Sequence, residues 1–155
     1  MKALQVSEYV VSKCYEYNRP ISNLKLQKIL YFLYGYFYKK FGCTLFDDDF
    51  VAWKLGPVVL DVYFNYYNNI ANPICESSDV KLDLKTNEIS FVDEKIQELN
   101  ELSTWDLVEK SHKTTPWKEV YKNGEGKGDI IKSYKICDFF EDMRWIDNWL
   151  LKPLT

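Results

Sequence analysis

The stretch from Ile21 to Val62 constrains the fold more than any other part of the chain. It opens with ISNLKLQKILYFLYGYFYKKFG. Leu26, Ile29, Leu30, Leu33 and Phe37 recur at three- and four-residue spacing, and Gln27, Tyr31, Tyr34 and Tyr38 form a second stripe beside them. Only Lys25, Lys28 and Lys39 are left as a narrow polar strip. A helix apolar on most of its sides is a buried one. Ser22 or Asn23 supplies its N-cap, Lys39 and Lys40 suit the negative end of the helix dipole, and Gly42 offers a left-handed C-terminal cap. Gly35 interrupts the interior at a cost of about 1 kcal/mol relative to Ala, and its expected reason is the close approach of another helix.

The second half of the stretch reads VAWKLGPVVLDVY. Residues 50–55 are aromatic and β-branched enough for a strand. Gly56-Pro57 is expected to turn the chain, with Pro57 at the first position of a third helix reaching about Tyr67. The preceding Asp47-Asp48-Asp49 lacks the spacing and the distal Glu of a calcium loop.

Around this centre the chain reads as helical. Leu4, Val10, Val11 and Cys14 stripe a first helix over 2–17, stopped by Asn18-Arg19-Pro20. Val80, Leu82 and Leu84 alternate with charged residues, as do Ile89 and Phe91 across Lys85–Glu88, which predicts a β-hairpin. Asp93 is then expected to cap a fourth helix carrying Ile96, Leu99 and Leu102. A break at Ser103-Thr104 precedes a fifth helix, Trp105–Ser111, and Pro116 opens a short sixth. Residues 122–129 (KNGEGKGD) read as a mobile loop. Ser133–Leu151 reads as a last helix with Phe139, Phe140, Trp145, Ile146, Trp149 and Leu150 apolar. The expected fold is mainly α: a compact helical bundle around a buried central helix, with a small β-hairpin, in a single domain over 1–155.

At 155 residues the chain is long enough for one sizeable core. Its net charge of −3 argues against a protein that tracks phosphates. Aromatics at 17% suit a core that reaches the surface or a recognition face. The four cysteines are scattered without a CxxC pair, so a zinc ribbon is not expected and the thiols read as reduced, in a cytoplasmic protein. No apolar run approaches the roughly 20 residues that span a bilayer.

Chemistry is thinly represented. His112 is the one histidine, so a nucleophilic Ser-His or Cys-His system would have to use it, and no GxSxG elbow or Cys-His signature accompanies it. HExxH zinc sites need two histidines. The simplest role for His112 is to order the end of helix five, as a cation suiting the dipole and through a ring nitrogen bonded to a carbonyl. Gly124, Gly126 and Gly128 lack the strand and the GK[ST] ending of a phosphate loop. No catalytic residue, metal ligand or cofactor-binding residue is expected. The lysine edge of the second helix, with Tyr31, Tyr34 and Tyr38, leaves open a basic-aromatic face for nucleic acid.

Four pieces in order carry a family resemblance: Leu24–Phe32 (LKLQKILYF), Ala52–Val58 (AWKLGPV), Ser111-His112 and Pro116-Trp117. Together they resemble the Panacea domain, the family of SocA-like antitoxins and phage-associated GepA-type proteins. A Ser-His dipeptide stands here where Thr-His is the more familiar form. The residues matched to the family's motifs are Lys25, Gln27, Lys28, Tyr31, Trp53, Gly56, Pro57, His112, Pro116 and Trp117, expected to hold the fold or to bind a partner. The resemblance implies a non-enzymatic antitoxin that binds and neutralises a cognate protein toxin, and in some members hands it to a protease. The alternative reading is a nucleic-acid-binding regulator encoded by a phage or mobile element.

Overall fold

The computed structural model describes residues 1–142. The expected helical positions Trp145, Ile146, Trp149 and Leu150 lie outside the described residues. Helix α1 spans Ala3–Glu16, α2 Asn23–Phe41, α3 Leu60–Asn65, α4 Thr86–Glu101, α5 Thr104–His112, α6 Thr115–Tyr121 and α7 Ser133–Asp142. Strands β1 (Phe50–Trp53), β2 (Gly56–Val58) and β3 (Ile130–Ile131) form an antiparallel sheet in the order β2-β1-β3. The fold is mainly α with a small sheet.

Helix α2 is the centre, as its two stripes require. Leu26, Ile29, Leu30, Leu33 and Phe37 are buried, and so are Gln27, Tyr31 and Tyr34. The Ser22 hydroxyl accepts from the Lys25 N–H, and Gly42 closes the helix at a φ of 73° while its N–H donates to the Tyr38 carbonyl. Helices α1, α3, α4, α5 and α7 all pack on α2. At Gly35 a Cβ would lie 2.3 Å from the Phe140 ring of α7, so the missing side chain is what admits that ring. Phe140 in turn meets Tyr31, Phe32 and Tyr36 edge-on at centroid distances of 5.8, 6.2 and 5.6 Å, a geometry the ring quadrupoles favour.

Several expectations are overturned. The hairpin is not at 80–91 but at 50–58: Trp53 pairs with Gly56 across Lys54-Leu55, and Pro57 sits in β2 opposite Ala52 instead of opening a helix. Proline is tolerated there because β2 is an edge strand. Helix α3 consequently starts at Leu60. Residues from Thr86 onward are helical, since Val92, Ile96 and Leu99 continue from Ile89 at helical spacing and are buried. Asp93 is therefore inside α4 and caps nothing; it accepts the Tyr9 hydroxyl proton. The start of α4 is instead marked by the Glu88 carboxylate, which accepts from the Lys85 N–H at 2.9 Å.

The glycine-rich segment before β3 is tied to β1. The Gly128 N–H donates to the Ala52 carbonyl at 2.7 Å, and the Ala52 N–H donates to Asp129 O at 2.9 Å. The acidic run serves α1: Asp48 accepts from the Ala3 N–H at 2.8 Å, satisfying one orphan donor at that helix start.

Candidate functional site

The family-motif residues come together mainly where α2 passes beneath the β1–β2 hairpin. Each is held by the element that its local sequence builds. Lys28 lies on α2, fully buried, and its Nζ donates to the Pro57 carbonyl at 2.7 Å. Burial pushes its pKa down to about 7, because a low-dielectric surrounding disfavours the ammonium. The expected polar strip of lysines is thus not a solvated edge. Lys28 is core, and Lys25 is half-buried with its Nζ on the Asn100 carbonyl at 2.9 Å. A perturbed lysine often marks an active site, but this amine is sealed from solvent and spends a proton on a backbone oxygen.

Gly56 explains the closeness of the packing. Its φ is 113°, and a Cβ there would lie 2.6 Å from Ser111 Oγ and 2.9 Å from Lys28 Nζ. The backbone conformation and the available space both demand glycine. Next to Lys28 on α2, Gln27 Oε1 accepts from the Val59 N–H at 2.9 Å, and its Nε2 donates to Asn23 Oδ1 at 3.0 Å. Asn23 then donates to the carbonyls of Tyr63 and Tyr66 at the end of α3, at 3.0 and 3.1 Å. Gln27 and Asn23 so moor both ends of α3 to α2.

From the other side, α5 and α6 hold the hairpin tip. His112 Nε2 is 2.9 Å from the Lys54 carbonyl, and Trp117 Nε1 donates to the Trp53 carbonyl at 2.8 Å. A carbonyl only accepts, so His112 carries its proton on Nε2. Its ring stacks on Trp117 at 4.2 Å, and Trp117 stacks on Tyr121 at 4.7 Å. Burial lowers the His112 pKa against the opposing effect of the Lys54 bond. The imidazole is therefore neutral at pH 7, and its carbonyl partner belongs to the hairpin, not to its own helix, which corrects the expected cation at the end of helix five. Pro116 is buried at the start of α6. Tyr31, at the base, donates to Thr114 Oγ1 at 2.8 Å, since the single Thr114 hydroxyl proton goes to the Ser111 carbonyl at 2.7 Å.

Lys25 alone stands away from this cluster, on the α4 side of α2. The residues that sequence reasoning missed are Asn23, Ser111 and Thr114 as packing partners. Their signal is weak, because short polar residues at helix ends normally read as caps. Gln27 and Trp53 also line a surface groove with Leu55 and Tyr63. Chemically the cluster is a set of satisfied backbone and side-chain bonds. Among the described residues no group of side chains is arranged to hold a metal ion, and no helix is long and apolar enough to cross a membrane.

Comparison with known proteins shows the family of this chain. Residues 26–118 match the family described as antitoxin SocA-like, Panacea domain. Over 148 residues the chain is 32% identical to antitoxin SocA of Caulobacter vibrioides (strain NA1000 / CB15N), covering 88% of this chain and 78% of that protein. No solved structure matches. The matched span contains nearly the whole bonded cluster between α2, the hairpin and α5–α6, and the chain belongs to the SocA-like antitoxin family with a Panacea domain.

Proposed function

We propose that the protein is a cytoplasmic, single-domain antitoxin that neutralises a cognate protein toxin by binding it, without catalysing a reaction. The likeness to an antitoxin across nearly the whole chain carries this reading. The internal bonding of the motif residues supports it: Lys28, His112 and Trp117 already have backbone partners, which leaves recognition to other, exposed side chains. The ten motif residues on this reading hold the fold and present that surface. The nucleic-acid alternative loses its ground, because Tyr31 and Tyr34 are core and Lys28 is buried.

Co-expression with the product of the adjacent gene tests the proposal. That product should stop growth alone and permit growth together with this protein. A product that is harmless alone, or still toxic in the pair, overturns it. Delivery of the bound toxin to a protease is a separate step, read as a shortened toxin half-life when the antitoxin is present.

A further inference from the structure

A groove of about 250 Å³ opens beside the hairpin, walled by Leu24, Leu55, Val58, Tyr63 and Ile70. Its volume is below the roughly 300 Å³ at which small-molecule pockets begin, and it suits one or two bulky side chains. The wall continues outward as a ladder of rings. Trp53 meets Tyr63 at 4.7 Å, and Tyr63 meets Phe64 at 5.5 Å and Tyr67 at 6.4 Å. Phe64 is 61% exposed, Tyr67 57%, Ile70 44% and Leu55 37%. Aromatic side chains grouped around a pocket are the usual material of a binding hot spot, and a contiguous exposed apolar patch marks an interaction surface.

The charge at the rim selects the occupant. Lys54 and Lys127 are the charged residues lining the groove, and both are exposed. Neither joins any ion pair among the described residues. Two cations beside an apolar slot, with no carboxylate of their own, complement a segment that sets carboxylates next to an apolar anchor.

We infer that this groove is where the toxin docks, receiving an acidic segment whose bulky apolar side chain enters between Leu55, Tyr63 and Ile70 while its carboxylates meet Lys54 and Lys127. The inference rests on the antitoxin reading for the source of the segment, but not for its chemistry. That chemistry can be tested with a phage-displayed random peptide library panned on the full chain. Enriched peptides should place Asp or Glu beside Trp, Phe or Leu. Their binding should weaken at least tenfold in a Lys54→Glu/Lys127→Glu variant and with rising salt, and be lost in Leu55→Asp/Ile70→Asp. Lys135→Glu, away from the groove, should leave binding unchanged, and circular dichroism should show every variant folded. Peptides without acidic residues, binding indifferent to the charge reversal, or no enrichment at all would overturn the inference. So would a dimer of the wild-type chain that Leu55→Asp/Ile70→Asp converts to monomer, because the groove would then belong to a second copy. In co-expression, a charge-reversed variant that still neutralises the toxin sinks the groove and leaves the antitoxin standing. Failure of the wild-type chain to neutralise sinks the antitoxin reading instead.

Discussion

Lysines and aromatic rings occur on both sides of the β1–β2 hairpin, in opposite states. Beneath it, Lys28 is sealed and bonded to Pro57, and Trp117 spends its indole N–H on Trp53. Beside it, Lys54 and Lys127 are exposed without a counter-charge among the described residues, and Phe64 and Tyr67 are more than half exposed. The same residue types stabilise the fold in one place and remain available in the other. The burial of each group decides which, because a buried polar atom must find an internal partner and an exposed one need not.

If that contrast is right, changes beneath the hairpin should cost stability and changes beside it should not. The largest effect is expected at Gly56→Ala. The positive φ costs about 1–3 kcal/mol in a residue with a Cβ, and crowding Ser111 and Lys28 adds a comparable amount. A loss of about 3 kcal/mol or more in chemical denaturation is expected, and a loss under about 1 kcal/mol would show that the corner yields easily. Gln27→Leu comes next. It strands the Val59 N–H and frees Asn23, at about 2–3 kcal/mol for the unsatisfied groups, also read by denaturant titration.

Lys28 yields a smaller, pH-dependent signature. Its folded pKa of about 7 lies below the ordinary 10.5, so between those values the unfolded chain binds a proton that the folded chain refuses. Stability should therefore rise with pH from 7 upward, by at most about 1.4 kcal/mol per unit. The window closes near pH 9, where the buried Cys14 thiol, pushed up to about 12 from 9.0, begins to act in the opposite direction. In Lys28→Met the slope between pH 7 and 8.5 should flatten; an unchanged slope would assign it to another group. The smallest effect is expected for Phe64→Ser, within about 0.5 kcal/mol of the wild type by thermal melting. A larger loss would mean that this ring belongs to the core and not to the recognition surface.

How much of this was legible depended on how far apart the interacting residues are. The α2 stripes, the Gly42 cap and the break at Ser103 are local signals with a local cause, and each agrees with the structure. Gly35 signals a close approach locally, but the ring that makes it, Phe140, lies far along the chain. Alternation over Ile89 and Phe91 misled because it was too short to outvote the helical spacing that runs on through Val92 and Ile96. The true hairpin was hidden because Lys54-Leu55 is not a recognisable turn pair, and Gly56-Pro57 drew the turn to itself. The burial of Lys28 could not be read at all. A lysine in an amphipathic pattern defaults to solvent, and its partner is a carbonyl 29 residues away.

The position of α2 also bears on how the chain reaches its native state. Tyr31 waits for Thr114, 83 residues later, and the notch at Gly35 stays unfilled until Phe140 has been synthesised. A helical protein built on such distant pairings loses the speed that local contacts confer, since the long loop must close before its contacts repay it. On the ribosome, α2 emerges as an apolar rod with several of its faces uncovered, and the face around Gly35 stays uncovered until almost the entire chain is made. A message cut short just before α7 would thus release a fragment whose most hydrophobic helix lacks its α7 cover, marked for aggregation or degradation and not for function.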